Sequence, residues 1–563
     1  MTSKVARDRL RLGLILALGF LLRIIGIHFG LPDLFHADEP IVVHHALAYG
    51  AGDLNPHFFK IPPFTSYLLF IMYGFYFLGG KLLGLFAGRE DFLSSFLRDP
   101  SSFYLLGRLL FGAVLGTATI WALYGLIKRF FERELALLSA FFLAVSFLHV
   151  RDSHYIYADI PLILILLLCF FPLFQILKKP KPAYYIVFGF LAGIAIATKY
   201  NGLFIFLPLF VTPFLKTASK RQPLLSLNLF LSLIAAFITY SVLNPFSWID
   251  LKFFLSELKG QSGSEGFSGF LHHLIYSLNG GLGFPLLTLA IYGIALAFFE
   301  RDLKKYAFMI FIFSYYGVLC FFSQPYDRYA LPLIPFFAFF AADGLIQIKK
   351  RFQLSHASVL VVSFALVLPS IAKIYRSDYL FLQKDVRTVA REWVEESIPK
   401  NTKIALDSSF YVPRLKPTVA QLREKQSKIL ASPHGGAQAR RLDLMIKQAE
   451  ADEAPRYELF FLEEAEDKSQ FLFAKPNVPP NVETLRKLGI RYVITYQDQG
   501  KRREQFMADL EQRATLMEKF TPYKDKARER VIDPLPLTGG PFLWNELAAR
   551  ERNGYIIKVY RLK

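Results

Sequence analysis

The stretch Arg9 to Pro40, RLRLGLILALGFLLRIIGIHFGLPDLFHADEP, governs how the rest of the chain is read. Four basic residues, Lys4, Arg7, Arg9 and Arg11, precede an apolar run over 12–30. The run is too long for a secretory signal core and lacks a small-residue cleavage site, so it reads as an uncleaved first span. Directly after it stands His36-Ala37-Asp38-Glu39-Pro40, with two adjacent carboxylates at the mouth of a membrane helix. Such a pair suits a general base, or a carboxylate beside a metal or a sugar centre with oxocarbenium character. It also suits a solvated loop that caps a helix starting near Pro40.

The composition repeats this contrast along the whole chain. Of 563 residues, 53% are hydrophobic and 20% charged, and the mean hydropathy is +0.33. Residues 376–563 hold 34 basic and 27 acidic side chains, whereas residues 1–375 hold 31 and 19. The first part is built for lipid and the second for water. A single soluble domain, a single-span anchored enzyme and an entirely membrane-embedded chain are excluded. The net charge of +19 could point to nucleic acid. Because most of that excess lies in the apolar part, the asymmetry of membrane loops explains it more simply, and no nucleic-acid partner is expected. Cys169 and Cys320 both lie inside apolar runs, which leaves no disulfide framework and no cysteine metal site.

Twelve apolar stretches approach the length needed for a hydrocarbon layer of about 30 Å. They lie near 12–30, 64–88, 104–127, 135–150, 160–177, 184–198, 201–215, 224–243, 284–299, 306–322, 329–346 and 355–374. The basic connectors Lys128/Arg129/Arg133, Lys178/Lys179/Lys181, Lys216/Lys220/Arg221, Arg301/Lys304/Lys305 and Lys349/Lys350/Arg351 mark the cytoplasmic side, together with the N-terminus. Their parity holds if one early stretch does not cross. The candidate is 64–88, preceded by Pro62-Pro63 and broken by Gly79, Gly80 and Lys81, which reads as a helix in the outer leaflet. The alternative is an ordinary span. Eleven spans then leave the 376–563 segment outside.

On this topology the unusual ionisable residues collect on the outer face: His36, Asp38, Glu39, Lys60, Arg151, His154, Asp159, Lys199 and Arg328. Charges between apolar helices are costly and mark a working site. In Asn55-Pro56-His57-Phe58-Phe59-Lys60-Ile61-Pro62-Pro63, the lysine could reach a lipid-linked phosphate or anchor the interfacial helix. Asp159-Ile160-Pro161 has the form of a helix start, and capping alone would explain Asp159. Capping does not explain Arg151, Asp152 and His154 just before it. Asp38, Glu39, Asp159 and several histidines could hold a divalent ion, although no spacing is diagnostic. His44-His45 reads as helix surface or packing.

The order of these motifs resembles the C-type (GT-C) membrane glycosyltransferases that use polyprenyl-phosphate sugars, including the protein O-mannosyltransferases and the lipid A aminoarabinose transferases. The matching elements are Asp38-Glu39 after span one, Lys60-Ile61-Pro62-Pro63 with one inserted residue, Arg108-Leu109, Asp159-Ile160-Pro161, Ala197-Thr198-Lys199-Tyr200-Asn201-Gly202, and Arg328-Tyr329-Ala330-Leu331-Pro332. The resemblance covers about residues 11–350. It implies a GT-C transmembrane catalytic domain over 1–375, with interfacial helices in the first outer loop (about 31–103), and a soluble extracytoplasmic α/β domain over 376–563. The implied activity is hexosyl or pentosyl transfer, with inversion, from a polyprenyl-phosphate donor to a protein, lipid A or envelope glycan at the periplasmic face of the inner membrane. Asp38, Glu39 and Asp159 would be catalytic, with Asp38 as base. Lys60 and Arg328 would neutralise the donor phosphate, with Arg151, His154, Lys199 and Tyr329 beside it. Asp38 and Asp159 are the residues for a divalent metal, should one be used. The rival readings are a transporter or lipid flippase, and a ligase for lipid-linked polysaccharide.

The tail shows a helical period over 385–394, a strand over Lys403–Leu406, a helix stopped by Gly489 before a buried strand, and an edge-like alternation over 555–562. Residues 413–456 read as a long loop or helical insertion, and nothing in the tail looks catalytic.

Overall fold

A computed structural model describes residues 2–36, 38–215, 226–259, 269–321, 326–407, 411–430, 436–462, 478–497, 504–525 and 544–563. Helix α1 (Thr2–Ile24) leads into an outer region built from α2 (Glu39–Ala48), α3 (Phe64–Leu82) and α4 (Arg89–Arg98). Next, α5 (Ser101–Gly107) passes through a π-helical turn, Arg108–Val114, into α6 (Leu115–Phe130). Then come α7 (Arg133–Ala144), α8 (Phe147–Asp152), α9 (Asp159–Lys178), α10 (Pro182–Thr198), α11 (Phe206–Val211) and α12 (Leu227–Leu243). Two short helices follow, α13 (Phe246–Ile249) and α14 (Leu251–Lys259). The turns α15 (Gly269–His272) and α16 (Asn279–Leu282) flank a π-helical segment. The bundle closes with α17 (Phe284–Glu300), α18 (Leu303–Leu319), α19 (Ile334–Phe352) and α20 (His356–Leu382).

Burial sorts these helices. α9 is apolar on every face and lies almost wholly inside, as a central helix must. α20 is peripheral and presents Leu360, Val361, Phe364 and Leu368 outward, a surface that fits lipid rather than water. Gly189 and Gly193 let α10 close on α12: a Cβ at either would stand 2.1 Å from the Ser232 carbonyl oxygen or 2.6 Å from that of Ala236. This small-residue spacing is a common device of membrane helix pairs.

Among the described residues, four helical segments are long and apolar enough to cross a membrane: Ser101–Phe130, Asp159–Lys178, Asp327–Phe352 and the one starting at His356. Gly269–Leu282 and Phe284–Glu300, bent by 112°, make a fifth if taken as one span. Other expected spans are shorter apolar helices, such as Pro182–Thr198 and Leu227–Leu243. The 201–215 stretch is divided, with a 3-10 turn over Tyr200–Ile205 before α11. Contrary to the expected break, Gly79 and Gly80 lie within α3, where the Phe86 ring folds back over Gly80. Ile71, Phe75, Leu78 and Leu82 form an exposed apolar stripe along α3, while Leu69 and Tyr73 face inward.

α20 runs through the expected boundary at 375 to Leu382, and α21 (Val386–Ser397) follows. A five-stranded sheet has the order β2-β1-β3-β5-β4, with β1 Lys403–Leu406, β2 Glu458–Phe461, β3 Tyr492–Tyr496, β4 Ala514–Phe520 and β5 Ile557–Leu562. β1 is parallel to β2 and β3; β5 is antiparallel to β3 and β4. Alternation along β1 sends Ile404 and Leu406 toward Val386, Ala390 and Val394 of α21. Ala405 faces the opposite way, toward Val482 and Leu485 of α24 (Val482–Lys487) and Phe506 and Leu510 of α25 (Glu504–Arg513). The expected stop is present, with Gly489 at φ +74°. β5 is not the edge strand its alternation indicated, because β4 pairs on its outer side. The 413–456 insertion holds two helices, α22 (Val419–Leu430) and α23 (Gly436–Ala451), before β2. One more helix, α26 (Trp544–Ala549), precedes β5.

Candidate active site

α2 begins with Glu39 and Pro40, so Asp38 stands in the capping position. Its side chain does not cap. The His36 ring takes that role, with Nδ1 accepting the backbone N–H of Asp38 at 3.1 Å and of Glu39 at 3.2 Å. Burial and the nearby guanidinium groups of Arg328, Arg108 and Arg151 hold the His36 pKa well below its ordinary value, which keeps that nitrogen available as an acceptor. Asp38 is thereby left to meet Arg328, with its Oδ2 3.1 Å from a guanidinium nitrogen. The Arg328 guanidinium lies over three phenol rings, Tyr326 at 4.7 Å, Tyr157 at 5.1 Å and Tyr329 at 5.7 Å.

Asp159 is the first residue of α9, and it too makes no cap. Oδ1 accepts a hydrogen bond from Lys199 Nζ at 2.6 Å, while the buried Oδ2 has no partner among the described residues. Lys199 sits just past the end of α10, 5.4 Å from both the Tyr157 and Tyr329 ring centres. Asp38, Asp152, Asp159 and Arg328 line one cleft of about 250 Å³ with His36, Tyr155 and Tyr157. Burial raises the Asp152 pKa against the pull of Arg151 and raises that of the Tyr157 phenol.

The other expected residues are placed differently. Glu39 has no accessible surface; Arg108 grips both its oxygens at 2.8 and 2.7 Å, and the Ile156 N–H adds a third bond at 3.0 Å. Arg108 also donates to the Ile27 and Phe29 carbonyls. With Arg108, Glu39 therefore cross-links α2, the turn after α1 and the π-helical turn, and its fully buried carboxylate is closed to a substrate. His154 is likewise withdrawn. Its two ring nitrogens lie 3.0 Å from the Val150 carbonyl and 2.9 Å from that of Ile25, and its ring packs at a tilt against Phe381. Arg151 stands behind the cleft, bound to Asp152 at 2.7 Å and 4.0 Å from Asp327. Lys60 is half-buried in a loop that Tyr200 fastens through the Phe59 carbonyl. Its neighbours Phe58, Ile61, Pro62 and Pro63 line an apolar cleft of about 350 Å³, which shares Tyr157 with the first.

Sequence reasoning named Tyr329 but missed Tyr157 and Tyr326, the rest of the tyrosine cage, and the anchoring of Arg328. Asp327, directly before Arg328, takes a hydrogen bond from Ser277 at 3.1 Å and lies 3.6 Å from His272. The only local signal was the density of tyrosines around Asp159 and Arg328. As for a metal, no group of three or more potential ligands exists among the described residues. Asp38 and Asp159 each already face a cation, so this donor set is not a ready divalent site, and no step below is routed through one.

Residues 103–246 match the dolichyl-phosphate-mannose-protein mannosyltransferase family. That stretch holds Arg108, Arg151, Asp159 and Lys199 but neither Asp38 nor Arg328. Among solved structures, ArnT from Cupriavidus metallidurans in the apo state is similar, with a TM-score of 0.50 and 14% identity over 99% of this chain and 98% of that one. The same protein bound to undecaprenyl phosphate gives 0.48 at 14% identity, with the same coverage. The apo oligosaccharyltransferase from Archaeoglobus fulgidus gives 0.49 at 13%, over 87% of this chain and 69% of that one. No curated protein sequence matches. The helical bundle with its outer-loop helices and the family match inside it identify the chain as one with the C-type membrane glycosyltransferase fold.

Proposed function

We propose that the protein is an integral-membrane glycosyltransferase moving a sugar from a polyprenyl-phosphate donor to an acceptor outside the cytoplasm, with inversion. The observation that carries the reading is the shared cleft, in which Asp38 faces Arg328 and Asp159 faces Lys199 among tyrosines. Asp38 takes the proton of the acceptor hydroxyl as its oxygen forms a bond to the anomeric carbon. The bond from that carbon to the phosphate oxygen breaks, and the leaving phosphate gathers negative charge. Arg328 and Lys199, already desolvated by tyrosine rings, stabilise that charge more in the transition state than in the ground state. Lys60 lies at the edge of the adjoining apolar cleft, where it can meet the phosphate from the lipid side. Glu39 holds α2 in place and takes no part in bond making, and His154 has the same structural standing.

The accompanying topology has eleven spans, the N-terminus inside, and the cleft and sheet outside, on the periplasmic side of an inner membrane. The test is Asp38→Asn in proteoliposomes supplied with a polyprenyl-phosphate sugar. Loss of a general base predicts a fall in transfer of about 10²–10⁴-fold with unchanged expression. Full activity would remove Asp38 from the chemistry. Net movement of the lipid without a glycosidic product would favour a flippase.

A further inference from the structure

α23 leaves the sheet and reaches back to the outer loop, where Gln448 donates to the Ser94 carbonyl of α4 at 2.7 Å. Beside that contact, Arg441 of α23 and Arg414 of the loop before α22 lie within electrostatic reach of Tyr104 of α5 and His44 of α2. Both guanidinium groups act electrostatically on the Tyr104 phenol and on the His44 imidazole. Two observations mark the place as more than a tether. The Tyr104 side chain is fully buried, yet its hydroxyl has no hydrogen-bond partner among the described residues. Arg441 Nε is buried and likewise without a partner, and no described carboxylate pairs with that guanidinium. Positive charge held away from water needs a counter-charge, and the fork of arginine donors matches phosphate oxygens.

We propose that Arg414, Arg441, His44 and Tyr104 form a second anion site, which takes a phosphate monoester. A monoester brings nearly two negative charges and three acceptor oxygens. The Arg441 guanidinium and the Tyr104 hydroxyl supply the open donors, and Arg414, which Asp33 also attracts, adds positive charge beside them. The site is separate from the cleft at Asp38. His44 lies six residues further along α2, about 9 Å at 1.5 Å per residue. Its occupancy does not depend on the transfer chemistry proposed above.

The experiment titrates the full chain in detergent by calorimetry, in an Arg328→Gln background that weakens phosphate binding at the cleft, and the second site is read from the part of the binding that depends on Arg441 and Arg414. The probes are inorganic phosphate and short-chain phosphatidic acid, with phosphatidylglycerol as a diester control. Saturable binding of a monoester is expected, weakened about tenfold or more by Arg441→Gln or Arg414→Gln and less by Tyr104→Phe. Arg441→Lys keeps the charge and should restore part of the affinity, which guards against a loss caused by misfolding. Phosphatidic acid binding well above inorganic phosphate identifies a lipid headgroup as the source; equal binding identifies a free phosphate group. Absence of saturable binding by both monoesters overturns the proposal. So does binding that Arg441→Gln and Arg414→Gln leave unchanged.

Discussion

Asp38 and Glu39 are adjacent carboxylates with opposite surroundings, and that contrast carries most of the reading at this site. Asp38 is part-exposed to a cleft and faces one guanidinium, whereas Glu39 has all its near neighbours supplied by the fold. Their substitutions should therefore separate activity from stability. Glu39→Gln leaves Arg108 buried without its counter-charge, and breaking such a pair costs about 3–5 kcal/mol. The expected outcome is a large drop in the thermal midpoint of the purified protein, partly recovered when Arg108→Gln is added. Asp38→Asn should leave that midpoint nearly unchanged while removing transfer. If Glu39→Gln melted like the parent and lost only activity, Glu39 would return to the chemistry. The same logic explains what the sequence could not separate. Asp-Glu names two carboxylates, but which of them is consumed depends on Arg108, 69 residues away.

The π-helical turn Arg108–Val114 is the element that joins these residues to the second carboxylate. It presents Arg108 to Glu39, and on the same segment Gly112 meets the loop before α9. A Cβ on Gly112 would stand 1.8 Å from the Ser153 carbonyl oxygen, and backbone cannot yield as a flexible side chain would. Gly112→Ala should therefore push away the loop that carries Asp152 and Tyr157 into the cleft. Overpacking of this kind costs about 1–3 kcal/mol, and transfer should fall with it even though no reacting group is altered. A variant with parental stability and activity would show that the loop has room to move. Elements set by local pattern were legible: the start of α9 at Asp159-Ile160-Pro161, strand β1, and the Gly489 stop. Elements set by distant partners were not. The alternation of β5 fits an edge or a central strand equally well until β4, a mostly exposed run, pairs beside it. Gly79-Gly80 reads as a break until the Phe86 ring folds over Gly80 and uses the missing side chain.

Across the whole molecule, charge sorts to two ends. Arg133 bonds Asp8 at 2.9 Å, Lys349 bonds Glu134 at 2.7 Å, Lys350 bonds Glu132 at 3.0 Å, and Lys304 reaches the Phe130 carbonyl at 3.1 Å. Four segments assigned to the cytoplasm from sequence alone thus meet one another, and Lys305 joins Glu300 and Asp343 in the same way. None of them touches the Asp38–Arg328 or Asp159–Lys199 pairs, which is the separation a membrane between them requires. The proposed eleven-span topology makes this separation measurable. In a Cys169→Ala/Cys320→Ala background, Lys350→Cys should resist an impermeant maleimide in spheroplasts and react once the membrane is opened. Lys487→Cys, on an exposed helix end beside the sheet, should react in intact spheroplasts. Both positions are largely solvent-exposed, Lys350 at 55% and Lys487 at 75% of the side chain, so accessibility in the protein itself does not limit labelling. Labelling of the two on the same side would mean an even number of crossings between 350 and 487. With α20 the sole long apolar helix in that interval among the described residues, such a result would turn α20 from a span into a surface helix and move the sheet to the cytoplasmic side.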